Sequence, residues 1–298
     1  MPLVKRKISP VGEAGQVLLI VILVIIVALT VGISLASRTI TNLRSATEEV
    51  ESQKALAAAE AGIERAIQGN VPINISSTGL GNNSSYTATY SAVESSGFAL
   101  DGGNVIPKDE GADIWFVEHD SNGDPDYSSM ATYSNYLHLY WGDHYENCIS
   151  NKPAAIQAIV ITRSAGGIFK SYRYAYDSCS SSRANNFTPT EGISSYTIGG
   201  VTYGNRTPEA VGASHLAEGI TDIVMIRVVP IYKDTVIGVR ACNHNGDLAT
   251  CTTLPLQGYS IDSLGTSGEA NRKIRVFKGW PQTYLPYLSY GLFVAEGN

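Results

Sequence analysis

The chain has 298 residues and a formal net charge of -6, with 17 Tyr against 6 Phe, 29 Gly and 4 Cys. The acidic balance excludes a nucleic-acid binder, which needs a basic patch, and a mean hydropathy near zero excludes a polytopic membrane protein. The length permits a sizeable core in one or two domains, and the wealth of Tyr, Gly, Ser, Thr and Asn favours strands joined by turns.

In chain order, Lys5, Arg6 and Lys7 lie in a short basic leader, residues 1–15, and there is no charge from Ala14 to Ser37. The almost wholly aliphatic run from Val17 to Ala36 is long enough, at about 1.5 Å per residue, to cross a bilayer core of roughly 30 Å. A secretory h-region is only about 7–15 residues, so the run is read as a retained anchor. Ser34-Leu35-Ala36, which imitates a small-x-small cleavage site, is the alternative. The leader is more basic than the far flank, where Arg38 and Arg44 are followed by Glu48, Glu49 and Glu51. A single-pass topology is expected, with the N-terminus cytoplasmic and the remainder exported.

The helical period continues past the apolar run. Thr39 to Gln68 contains no Pro and only Gly62. Ile40, Leu43, Thr47, Val50, Leu56, Ile63 and Ile67 form an apolar stripe beside Arg44, Glu48, Glu51 and Lys54. One helix over 16–68 is expected, on the order of 75 Å long, with a stripe that needs cover from its own domain or from other copies.

After Gly69 turn signals recur every eight to twelve residues, which points to antiparallel strands. The expected strands are 86–93, 113–118, 136–141, 155–162, 168–176, 220–232, 235–241, 259–263, 273–278 and 288–294. Residues 70–111 read as a loose connection with one strand pair. Tyr172, Tyr174 and Tyr176 share one strand face, either as packing under a sheet or as a platform for a sugar or a surface. The expected fold is therefore α+β: a long N-terminal helix, transmembrane then amphipathic, followed by a mainly antiparallel β-rich exported domain over 69–298.

All four cysteines lie in that exported part, so two disulfides fit an oxidising compartment. Cys242 and Cys251 flank the hairpin signal Asn245-Gly246, which favours their pairing and leaves Cys148 with Cys179. Zinc at Cys242 and His244 is the competing use, without a CxxC to support it. Asp120, Asn122, Asp124 and Asp126 alternate as oxygen donors in a way that suits calcium, but the glycine is out of place and no twelfth-position Glu follows. The alternative is an acidic turn between strands. No G-x-S-x-G, H-E-x-x-H, P-loop or G-x-G-x-x-G occurs; the five histidines stand singly, and no enzymatic activity is expected. Sequons stand at Asn74, Asn82, Asn83, Asn186 and Asn205.

Two stretches carry a family resemblance: Gly15-Gln16-Val17-Leu18-Leu19-Ile20, and Ala58-Ala59-Glu60-Ala61-Gly62-Ile63-Glu64-Arg65-Ala66-Ile67. With the basic leader and the β-rich remainder, they resemble type IV pilin-like proteins, and more closely the PilX-type minor pilins and pilus assembly proteins. Gly265-Thr266-Ser267-Gly268, followed by Arg272-Lys273-Ile274, resembles the terminal strand of the same group. The resemblance implies cleavage by a prepilin peptidase between Gly15 and Gln16. It also implies partners in other pilin subunits and the membrane, and assembly, tip or adhesion roles with a surface or carbohydrate ligand. Major pilins carry Glu five residues into the mature chain; the matching residue here is Ile20, which favours a minor or tip component. A single-pass surface protein that never assembles is the other reading.

Overall fold

The structure is a computed structural model describing residues 13–69, 74–129, 136–208, 220, 222–242 and 251–280. Most of the leader, the expected strand 288–294 and His244 lie outside these residues. The helix α1 spans Glu13–Gln68, an unbroken 56 residues. Strands follow: β1 (Ile75–Gly79), β2 (Ser84–Ala92), β3 (Gly97–Ala99), β4 (Ala112–Trp115), β5 (Glu118–His119), β6 (Pro125–Asp126), β7 (Tyr136–Trp141), β8 (Ala155–Arg163) and β9 (Phe169–Tyr176). After the short helix α2 (Ser180–Arg183) come β10 (Glu191–Ile198), β11 (Val201–Arg206), β12 (Ile223–Ile231), β13 (Ile237–Cys242), β14 (Gly258–Ser267) and β15 (Ala270–Gly279). The fold is α+β, with an antiparallel β domain after one long helix.

The sheets run β1-β2-β14-β15, β10-β11-β7-β13-β3 and β4-β12-β8-β9, with β5-β6 as a separate pair. The connection over 70–111 holds more than one strand pair, since β3 leaves it to join β13, with Phe98 opposite Val239. The chain divides into two compact units. Among the described residues, 13–62, 76–87 and 264–273 form the first, and those within 63–75, 88–263 and 274–280 form the second.

In the second unit the sequence Ala155-Ile-Gln-Ala-Ile-Val-Ile-Thr162 is buried along its whole length. Such a run suits a strand covered on both faces. Ile156, Ala158 and Val160 join a core with Ile226 and Val228 of β12 and with Leu139, Trp141, Ile237 and Val239 of β7 and β13. Residues of two sheets thus fill one layer between them. Ile159 and Ile161 point the other way and pack with Trp115, Val224 and Met225. The tyrosine stripe serves the interior in part: Tyr176 is fully buried and Tyr174 packs on the main core, while Tyr172 stays exposed.

Candidate functional site

The helix comes first. From Val17 to Leu35 the large side chains are all exposed, and none of the most apolar window of α1 is buried. Three threonine hydroxyls turn back on the helix: Thr30 Oγ1 donates to the Val27 carbonyl (2.9 Å), Thr39 Oγ1 to Leu35 (3.0 Å) and Thr41 Oγ1 to Ser37 (2.9 Å). Every one of these polar groups is satisfied without water, as a hydrocarbon environment requires. One N-terminal helix is thus long and apolar enough to anchor the chain in a membrane. Gly15 and Gln16 lie in the first turns of α1, and Ile20 is exposed.

The packing face of α1 differs from the expected stripe. In the first unit Ala55, Ala58 and Ala59 are fully buried, whereas Ile40, Leu43, Val50 and Leu56 stay exposed. Small side chains win because the neighbouring strand comes too close for large ones: a methyl built on Gly265 would stand 2.5 Å from the Ala59 nitrogen. Arg272 Nε also donates to Ser52 Oγ at 2.9 Å. In the second unit Ile63 and Ala66 pack with Ala88 and Ile261. There the last helical carbonyls find donors, with Tyr90 Oη on Ala66 and Lys278 Nζ on Ile67 at 3.4 Å.

The acidic constellation forms a turn. Asp120 Oδ1 accepts the Asn122 and Asp124 amides at 2.8 and 3.0 Å, which holds its carboxyl below the usual range. Asp126 is committed to Ser128. Among the described residues no group of three or more His, Cys, Asp or Glu is gathered to hold a metal. His119, beside this turn, lies edge-on to Trp115 (4.5 Å between centroids) and stacks on Trp280 at 4.4 Å. Burial lowers its pKa to about 4, against a smaller opposing effect of Asp120.

A cleft of about 270 Å³ opens beside that aromatic group, lined among others by Asp101, Glu110, Trp115, Gln257, Phe277 and Trp280. Two of its side-chain donors are already engaged. Gln257 Nε2 serves the Trp115 and Pro255 carbonyls at 2.9 and 2.6 Å, and Trp280 Nε1 serves Leu256 at 2.6 Å. Asp113, also on the wall, is held bidentately by Arg227 at 2.6 and 2.7 Å. Asp101, in the left-handed region at φ 49°, is raised above the ordinary carboxylate range by burial, with Asn104 opposing. The cleft thus offers oxygen acceptors and aromatic rings, and it has no histidine, cysteine or serine in its lining. It suits a ligand that donates hydrogen bonds.

Cysteines pair as Cys148–Cys179 and Cys242–Cys251. His138 is buried on β7, and His144 Nδ1 meets Asp143 Oδ1 at 3.0 Å. Asn205 is buried and donates to the Trp141 carbonyl, so its sequon is not presented.

Glu146 belongs to a cluster that no spacing in the sequence reveals. Its side chain, 7% exposed, accepts the Asp143 amide at 2.9 Å and contacts Lys233 Nζ, and Lys233 Nζ also donates to Asn151 Oδ1 at 3.1 Å. Gly142, at φ 68°, is required here, since a methyl on it would stand 2.5 Å from Glu146 Oε2. Three residues separated by up to 87 positions meet only through the β12–β13 connection.

Compared with protein-family models, curated proteins and solved structures, the chain matches none of them.

Proposed function

We propose that the chain is a minor pilin-like subunit of a type IV pilus or pseudopilus, anchored by α1 and displaying its β domain outside the cytoplasmic membrane. The observation that carries this reading is the division of labour along one unbroken helix. The large side chains of its apolar half are exposed and its threonine hydroxyls turn back on the helix, while its second half docks on its own chain through alanines. That leaves Ile40, Leu43 and Val50 free to meet neighbouring helices in a fibre. The two disulfides support an oxidising compartment for the β domain, and the basic leader supports a cytoplasmic N-terminus. A prepilin peptidase cutting between Gly15 and Gln16 would leave α1 as the mature N-terminus. The acceptor-rich aromatic cleft supports an adhesion role, with a sugar or a surface as ligand.

Ile20 favours a second reading, a single-pass surface protein that does not assemble, because an apolar residue there has no charge with which to seek a subunit partner. The test is the mass of the mature N-terminus in cells with and without prepilin peptidase, together with recovery in sheared surface material. A chain starting at Gln16 only when the peptidase is present, and found in the sheared fraction, supports the subunit. An uncut chain confined to membranes refutes it.

A further inference from the structure

We propose that Lys233 and Asn151 join covalently through an intramolecular amide bond, with Glu146 carrying the proton. The three groups needed for such a bond are in place: an amine nucleophile, a carboxamide electrophile and a carboxylate touching the amine. Lysine amines are established nucleophiles toward carbonyl carbon when a neighbouring base removes their proton.

The step balances without any co-reactant. Glu146 takes a proton from the Lys233 ammonium, and the freed lone pair attacks Asn151 Cγ, one bond beyond the oxygen that Nζ already contacts. In the tetrahedral adduct a proton passes from the former lysine nitrogen, through Glu146, to the amide nitrogen of Asn151. That nitrogen leaves as ammonia, the Cγ–N bond to it breaks, and the new Cγ–Nζ amide remains. No electron is gained or lost.

An unactivated amide reacts with an amine only if both are held in place, and the loops that carry the two partners are braced from several sides. Asn147 N donates to the Asn151 carbonyl at 2.9 Å, and Asn147 Oδ1 accepts the Ile149 and Ser150 amides at 3.0 Å. Cys148, inside the same loop, is tied to Cys179. On the lysine side, Asp234 Oδ1 accepts the Lys108 amide at 2.9 Å, and Thr235 exchanges both backbone hydrogen bonds with Ile106. Tyr232, just before Lys233, is held at φ 74°, a left-handed conformation that non-glycine residues rarely adopt. Arg183 over its ring at 4.6 Å helps keep it there. Such orientation is worth effective concentrations of about 10⁵–10⁸ M in intramolecular reactions.

The experiment uses the full chain extracted in detergent, with both disulfides mapped to establish folding. After reduction and denaturation, the parent protein should be lighter than its sequence by one ammonia, and digestion should yield a branched peptide joining the Asn151 and Lys233 segments. Lys233→Arg keeps the charge but should have the full mass and give two linear peptides. Glu146→Gln should lower the linked fraction at matched time by about 100-fold or more, the usual share of a general base. A disulfide-complete parent chain of full mass, with separate peptides, overturns the proposal. So does an ammonia loss that persists in Lys233→Arg without a branched peptide, because it would come from asparagine cyclisation elsewhere.

Discussion

Gly265 of β14 and Ala59 of α1 are in such close contact that a single methyl on Gly265 would come within 2.5 Å of the Ala59 backbone nitrogen. The obstacle is main chain, which cannot rotate away, so helix and strand must separate to admit a side chain. Gly265→Ala is therefore expected to destabilise the protein by about 1–3 kcal/mol, the usual cost of overpacking, and Gly265→Val by more. Urea unfolding of the detergent-solubilised chain would measure it. A Gly265→Ala midpoint equal to that of the parent would show that the contact is not tight.

The exposed stripe on α1 makes a prediction of the opposite kind. Leu43 and Val50 touch little within the chain, being 64% and 49% exposed. Leu43→Gln with Val50→Gln should leave stability within about 0.5 kcal/mol of the parent, as surface changes do. If the stripe meets neighbouring helices in a fibre, the same variant should be depleted from sheared surface material while its membrane level is unchanged. Undiminished recovery in the sheared fraction would remove the stripe from assembly.

Asp177 is a buried carboxylate serving three donors: the Cys179 amide (2.8 Å), Arg183 Nη1 (2.7 Å) and Asn185 Nδ2 (2.7 Å). Asp177→Ala strands the Arg183 charge, 12% exposed, and should cost about 3–5 kcal/mol. Replacing both Cys148 and Cys179 by Ser reopens a loop of sequence separation 31 and should cost about 3–4 kcal/mol. Doing the same at Cys242 and Cys251, with separation 9, should cost about 2.5 kcal/mol. Because Asp177 bonds the amide of Cys179, its loss combined with that of Cys148–Cys179 should fall short of the sum. Additive midpoints in chemical denaturation would show the two devices to be independent.

The helix and the central strands were legible because their residue patterns match the geometry. The uncharged run and the proline-free continuation predicted 16–68, and α1 spans Glu13–Gln68. Apolar or aromatic runs placed Tyr136–Trp141 and Ala155–Arg163. The β10–β11 hairpin escaped, since Gly192-Ile193-Ser194-Ser195 and Asn205-Arg206 show no apolar alternation. Only the Gly199-Gly200 turn marked it, both glycines having positive φ. The helix face escaped for another reason: a stripe search weights Leu and Ile, but close approach selected Ala55, Ala58 and Ala59. The cleft and the Lys233 cluster draw residues from distant segments and leave no local signal.

His119 links the aromatic group to pH. Its imidazole lies between Trp115 and Trp280, and burial lowers its pKa from 6.5 to about 4. The unfolded chain therefore binds a proton at His119 before the folded chain does. Stability from this group is complete above about pH 6.5, falls as the pH drops, and stops falling near pH 4. One pKa unit corresponds to about 1.4 kcal/mol, and discounting for the partly exposed ring leaves a loss of about 1–2 kcal/mol across the window. Asp120 and Asp126, both held below the ordinary carboxylate range by hydrogen bonds from the turn, lose their contributions only at lower pH. His119→Phe keeps a ring between the two tryptophans and removes the titration. Its urea midpoint should therefore fall less than the parent's between pH 7 and about pH 4.5. Equal pH slopes in variant and parent would mean that the imidazole is protonated in the folded chain as readily as in the unfolded one.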